Sequence, residues 1–172
     1  MILQKKITNE VVHKLELCDD TNDDILIIAV KSNMPDYKMA YQLNKYLKTK
    51  FSKVSPELTI EDNGTAYFRS FEFDDEYQHL TWRLFENKSN HKESVAVETL
   101  ALFDTEDHGI STTSYLIPEW KSIDYFILIN NIDYLFNIDE LIEKIQNIPN
   151  ISTQFVVDID SLSTKSQKNL IF

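Results

Sequence analysis

The sequence predicts a single α+β domain over residues 1–172: a mostly antiparallel sheet with two main helices, at about 35–49 and 138–147, packed on one face. Three observations predict it. Most apolar stretches are short, and they either alternate with polar residues or run continuously, as strands do. Two stretches carry an apolar stripe at helical spacing. Short polar links such as Asp74-Asp75-Glu76 join neighbouring strand candidates, which suits antiparallel pairing. At 172 residues, with 42% hydrophobic and 12% aromatic side chains, the chain can bury a real core and is too apolar for a disordered segment.

Taken in order, Val11, His13, Leu15 and Leu17 alternate with Val12, Lys14 and Glu16 and predict a strand. The acidic turn at 19–24 follows, then the continuous run Ile25-Leu26-Ile27-Ile28-Ala29-Val30, which reads as a central strand. The two are expected to form a hairpin. Asn33 is the expected N-cap of the first helix, with Pro35 in its first turn and Asp36 at the capping-box position. Met39, Ala40, Leu43, Tyr46 and Leu47 share one face, and Tyr37, Tyr41 and Asn44 form a side stripe.

The middle is β-rich. Strands are expected at 66–73 and 77–86, joined by a hairpin turn. The polar stretch 87–92 reads as a loop, 95–103 is compatible with a strand or a short helix, and 104–113 reads as an exposed loop around Gly109. Strands at 114–117 and 124–130 flank a short 118–122 connection. Asn137 should cap the second helix with Glu140 at the capping-box position, over a stripe of Ile138, Leu141, Ile142, Ile145 and Ile148. Pro149 ends it, 154–159 is a last strand, and Leu170-Ile171-Phe172 is an apolar tail.

Composition excludes several functions. A net charge of -11 with dispersed Lys and Arg argues against nucleic-acid binding, which needs a basic patch. Only Gly64 and Gly109 are present, so neither a phosphate-cradling loop nor a dinucleotide fingerprint can be written. Cys18 alone permits no intrachain disulfide and no cysteine-based zinc site, and the four acids beside it make it a poor nucleophile. The histidines show no metal-ligand spacing, and the acidic clusters lack a calcium-loop pattern. No cofactor and no metal are expected. With no apolar leader and no spanning run, the expected location is the cytoplasm, away from the membrane.

The most distinctive segment is Ile117-Pro118-Glu119-Trp120-Lys121-Ser122-Ile123-Asp124-Tyr125. It resembles the namesake motif of the bacterial IPExxxVDY family, with Ile123 in place of Val. The stretch from Ser32 to Asn44 and the closing Asn169-Leu170-Ile171-Phe172 resemble the same family's N-terminal strand-to-helix segment and apolar C-terminus. That family has no established activity, so the resemblance implies a name and no reaction.

Glu119 and Asp124 could act as an acid and base pair. They could equally be turn and strand caps, with Glu119 accepting backbone hydrogen bonds in its own turn, and this structural reading is the one preferred. Tyr37, Tyr41 and Asn44 suit a partner surface or the side wall of a core helix. No catalytic residue is assigned. The candidate binding residues are Tyr37, Tyr41, Asn44, Glu119, Asp124 and Tyr125. The expected function is a non-catalytic protein-interaction or assembly module, including a homodimer that buries the helix stripe or the apolar tail. The alternative is a small-molecule-binding or enzymatic domain with its site at the 118–124 turn, facing Asp36 and Tyr37.

Overall fold

The computed structural model describes residues 24–62, 64–93 and 110–170. In chain order they form β1 (Ile25–Ser32), α1 (Asp36–Leu47), β2 (Ser52–Lys53), β3 (Leu58–Asp62), β4 (Gly64–Phe68), β5 (Ser70–Asp75), β6 (Leu80–Glu86), β7 (Lys88–Glu93), β8 (Ile110–Tyr115), β9 (Tyr125–Asn130), α2 (Ile138–Gln146), β10 (Ile151–Val157) and α3 (Thr164–Leu170). Short 3-10 turns lie at Pro118–Trp120 and Ile159–Ser161. Six strands make the main sheet in the order β10-β1-β9-β6-β5-β2, and every pairing is antiparallel. β3 pairs with β4, and β7 with β8, as separate two-stranded ribbons. The expected α+β architecture is present.

Both faces of the sheet are covered, which explains why β1 and β9 are apolar at consecutive positions. On one face, Leu26, Ile28 and Val30 of β1 and Ile127 and Ile129 of β9 pack with Met39 and Leu43 of α1 and Leu141 and Ile145 of α2. On the other, Ile27, Ala29, Phe126 and Leu128 meet Ala66 and Phe68 of β4, the 116–123 segment and Leu170 of α3. Each such fully buried Ile, Leu or Phe contributes roughly 1.5–3 kcal/mol by leaving water. The two expected helices do share one face. The third, short helix lies on the opposite one.

Several expectations are corrected. β1 is flanked by β9 and by β10, so both its edges are taken and a hairpin with residues 11–17 has no place beside it; residues 11–17 themselves lie outside the described residues, as does 95–103. The expected loop at 87–92 contains β7, and the expected loop at 104–113 runs into β8. A two-stranded ribbon satisfies its backbone by pairing and needs no apolar run, so its sequence Lys88-Ser89-Asn90 carries no strand signature. The stretch 66–73 is divided at Arg69, with β4 and β5 entering different sheets. The expected strand at 77–86 begins only at Leu80, after a turn in which His79 has φ 58°.

The first helix is not capped by Asn33. Pro35 occupies the N-cap with extended backbone and no side-chain cap, and its carbonyl accepts from the amides of Lys38 and Met39. The second helix is capped as expected, with Asn137 Oδ1 accepting from the Glu140 amide at 3.0 Å. The last strand occupies 151–157 rather than 154–159. Leu170 is no free tail: it ends α3 and has no exposed surface.

Candidate functional site

The 116–125 segment folds back on the sheet because its apolar and polar residues have separate tasks. Leu116, Ile117 and Ile123 are buried on the face shared with α3. Pro118 opens a single 3-10 turn, closed by Trp120 N–H to Ile117 O at 3.1 Å and by Ile123 N–H to Trp120 O at 2.9 Å. Asn87 fills the inside of this turn. It has no exposed surface; its Nδ2 donates to the carbonyls of Trp120 and Ile123, both at 2.9 Å, and its Oδ1 accepts from the Ile117 amide at 2.9 Å. Its own amide donates to Asp124 O and its carbonyl accepts from Leu116 N–H.

The carboxylates of the segment point to different elements. Glu119 accepts from the Ser163 amide at 3.2 Å and from Ser166 Oγ at 2.6 Å, so it holds the start of α3. Partial burial opposes its ionised form, but the hydrogen bonds from Ser163 and Ser166 outweigh it and bring its pKa down to about 2. Asp124 accepts from the Ser32 amide at 3.0 Å and from Lys88 Nζ at 2.5 Å, tying the end of β1 to the start of β7. Tyr125 is buried and donates its hydroxyl to Met34 O at 2.5 Å. Burial, followed by the negative charges of Glu86, Asp36 and Asp124, makes that hydroxyl harder to ionise.

A charged group gathers beside Tyr125. Asp36, buried at the start of α1, pairs with Arg69 at 3.4 Å, and Arg69 approaches Glu57 at 3.9 Å. Glu86 at the end of β6 faces the same group. Burial raises its pKa, with Arg69 acting in the opposite sense. The structure therefore brings Asp36, Asp124 and Tyr125 into one electrostatic neighbourhood, while Glu119 serves α3.

Of the helix stripe, Tyr37 and Tyr41 are exposed by 68% and 63%, so they form no side wall of the core. Asn44 does not share their surface role. Its Oδ1 accepts from Thr49 Oγ1 and from the Phe51 amide, and its Nδ2 donates to Phe51 O, which fixes the link from α1 to β2.

Among the described residues the most exposed large apolar side chains lie elsewhere. Tyr77 in the β5–β6 turn and Tyr134 and Leu135 in the β9–α2 loop are exposed by 94%, 94% and 73%. The two loops are joined by Asn131 Nδ2 donating to His79 O at 3.4 Å. Two adjoining clefts of about 280 and 340 Å³ share Gln78, Leu135 and Phe136 in their walls, and Trp82 lines the larger one. Sequence reasoning missed this surface, because Tyr134 and Leu135 in a seven-residue loop carry no periodicity to separate surface from core. It also missed Asn87, Arg69 and Glu86, which are ordinary polar residues until the fold assembles them.

Among the described residues no group of three or more His, Cys, Asp and Glu side chains could hold a metal ion, and no helix is long and apolar enough to cross a membrane. Comparison with known protein families, with curated proteins and with solved structures finds no match for this chain.

Proposed function

We propose that this chain is a non-catalytic protein-interaction module of the cytoplasm, with its contact surface on the β5–β6 turn and the β9–α2 loop. One observation carries the reading: Tyr77, Tyr134 and Leu135 stand almost fully in water beside clefts that end on Phe136 and Trp82. Aromatic anchors next to partly filled clefts are what interface centres use, since tyrosine supplies area at low entropic cost. Glu119, Asp124 and Tyr125 of the 116–125 segment are engaged with backbone and neighbouring side chains, which speaks for a structural role. Membership of the IPExxxVDY family belongs to the same proposal and rests on the residues quoted above.

The test is affinity purification of the tagged native protein beside a Tyr134→Asp, Leu135→Asp variant. The variant should keep its melting temperature, since both side chains are exposed, and lose its co-purifying protein. Identical partner sets for the two proteins would contradict the reading.

A second reading, a small-molecule site beside the 118–124 turn, is favoured by Glu86. Its half-buried carboxyl makes no hydrogen bond or ion pair among the described residues and faces Asp36, Arg69 and Tyr125.

A further inference from the structure

The two edges of the six-stranded sheet are protected very differently. One edge is β2, two residues long and carrying Lys53. Short edges and lysines are the usual means of keeping a free edge from pairing with another chain. The other edge is β10, seven residues of Ile151-Ser152-Thr153-Gln154-Phe155-Val156-Val157, with no charged residue and no proline. Among the described residues β10 pairs with β1 alone, so one side of its backbone has no hydrogen-bonding strand. Ser152, Thr153 and Val156 are exposed along it. Its one irregularity is a register shift opposite Lys31 and Ser32, near the start of the strand, which leaves 153–157 in regular pairing.

We infer that β10 is a self-association edge, pairing antiparallel with β10 of a second copy about a two-fold axis and continuing the sheet across the dimer. The argument for a second copy is electrostatic and geometric. Two chains of charge -11 repel one another, so they approach at least cost where the contacting strand is neutral. A two-fold centred on Gln154 sets Thr153 opposite Phe155, a β-branched–aromatic cross-strand pair within the regular part of the strand. No residue of β10 is charged, so pairing of the two strands brings no like charges face to face. A symmetric interface of this kind is self-complementary by construction. The partly exposed rings of Trp120 and Phe155, 5.0 Å apart, add apolar surface beside the edge.

This inference names one partner for the assembly reading and uses a surface distinct from Tyr134 and Leu135, so the two can fail separately. The experiment is light scattering on the full chain after size exclusion, for the native protein, for Thr153→Lys with Val156→Lys, and for Tyr134→Asp with Leu135→Asp. The native protein and the loop variant should have the mass of two chains. The lysine variant should have the mass of one, with an unchanged circular dichroism spectrum. In a Cys18→Ser background, Gln154→Cys should form an interchain disulfide under mild oxidation. A native protein that is monomeric at every concentration would overturn the inference. A dimer that survives both lysines, or a Gln154→Cys protein that does not cross-link, would also overturn it.

Discussion

Asn87 shows at the scale of one residue how the segment after it is held. A buried amide is tolerated only when its donors and acceptors are matched, and here both donors and the oxygen find backbone partners within 2.9 Å. Glu119 and Glu86 form an instructive contrast. The Ser163 and Ser166 hydrogen bonds favour the ionised form of Glu119 in the folded state, whereas burial disfavours that of Glu86. The signs of their pH dependence are therefore opposite. Glu119 contributes stability that is present above its ordinary value of 4.5 and is lost as pH falls towards about 2. Glu86 favours folding when protonated, and that contribution is lost as pH rises through its raised pKa. Melting curves from pH 7 down to pH 3 should show Glu119→Gln less stable than the native protein at pH 7, with the gap narrowing in acid. Glu86→Gln should be more stable at pH 7, with its gain also vanishing in acid.

At the scale of elements, α3 is the clearest case of tertiary support. Seven residues are too few for a stable isolated helix. It is held by Glu119 at its start, by Asn169 Nδ2 donating to Leu116 O at 2.8 Å, and by Leu170, which has no exposed surface. Removing residues 170–172 should therefore lower the unfolding free energy by about 2–5 kcal/mol, the range for truncating a buried leucine, as read by urea denaturation. An effect on association alone would show that Leu170 is not packed as described. The elements also differ in how much of them the sequence reveals. α2 is legible because Asn137, Glu140 and the isoleucine stripe all state the same helix. The start of α1 is not, because Ser32 Oγ accepts the Met34 amide and leaves Asn33 outside the helix. β7 is hidden for a different reason: a ribbon outside the main sheet is defined by its partner, and Lys88, Ser89 and Asn90 show nothing of β8.

At the scale of the whole molecule, the sheet is covered on both faces, with α1 and α2 on one and β4, the 116–123 segment and α3 on the other. The apolar runs of β1 and β9 announced such a core, but strand order was not legible, since β1 pairs with segments roughly 100 to 130 residues later in the chain. The candidate site was half legible. Tyr125 and Asp124 stood out in the sequence, but their ties to Met34, Ser32 and Lys88 exist only once distant strands meet. Glu119 and Asp124 thereby join the start of α3, the end of β1 and the start of β7, and Asn87 holds the inside of the segment that carries them. Asn87→Ala measures how firmly that segment is held, since it removes the amide and leaves both carboxylates in place. Urea unfolding should show a loss on the order of 3 kcal/mol, from three hydrogen bonds broken in a buried site. An unfolding midpoint equal to that of the native protein would show that Asn87 does not hold the segment.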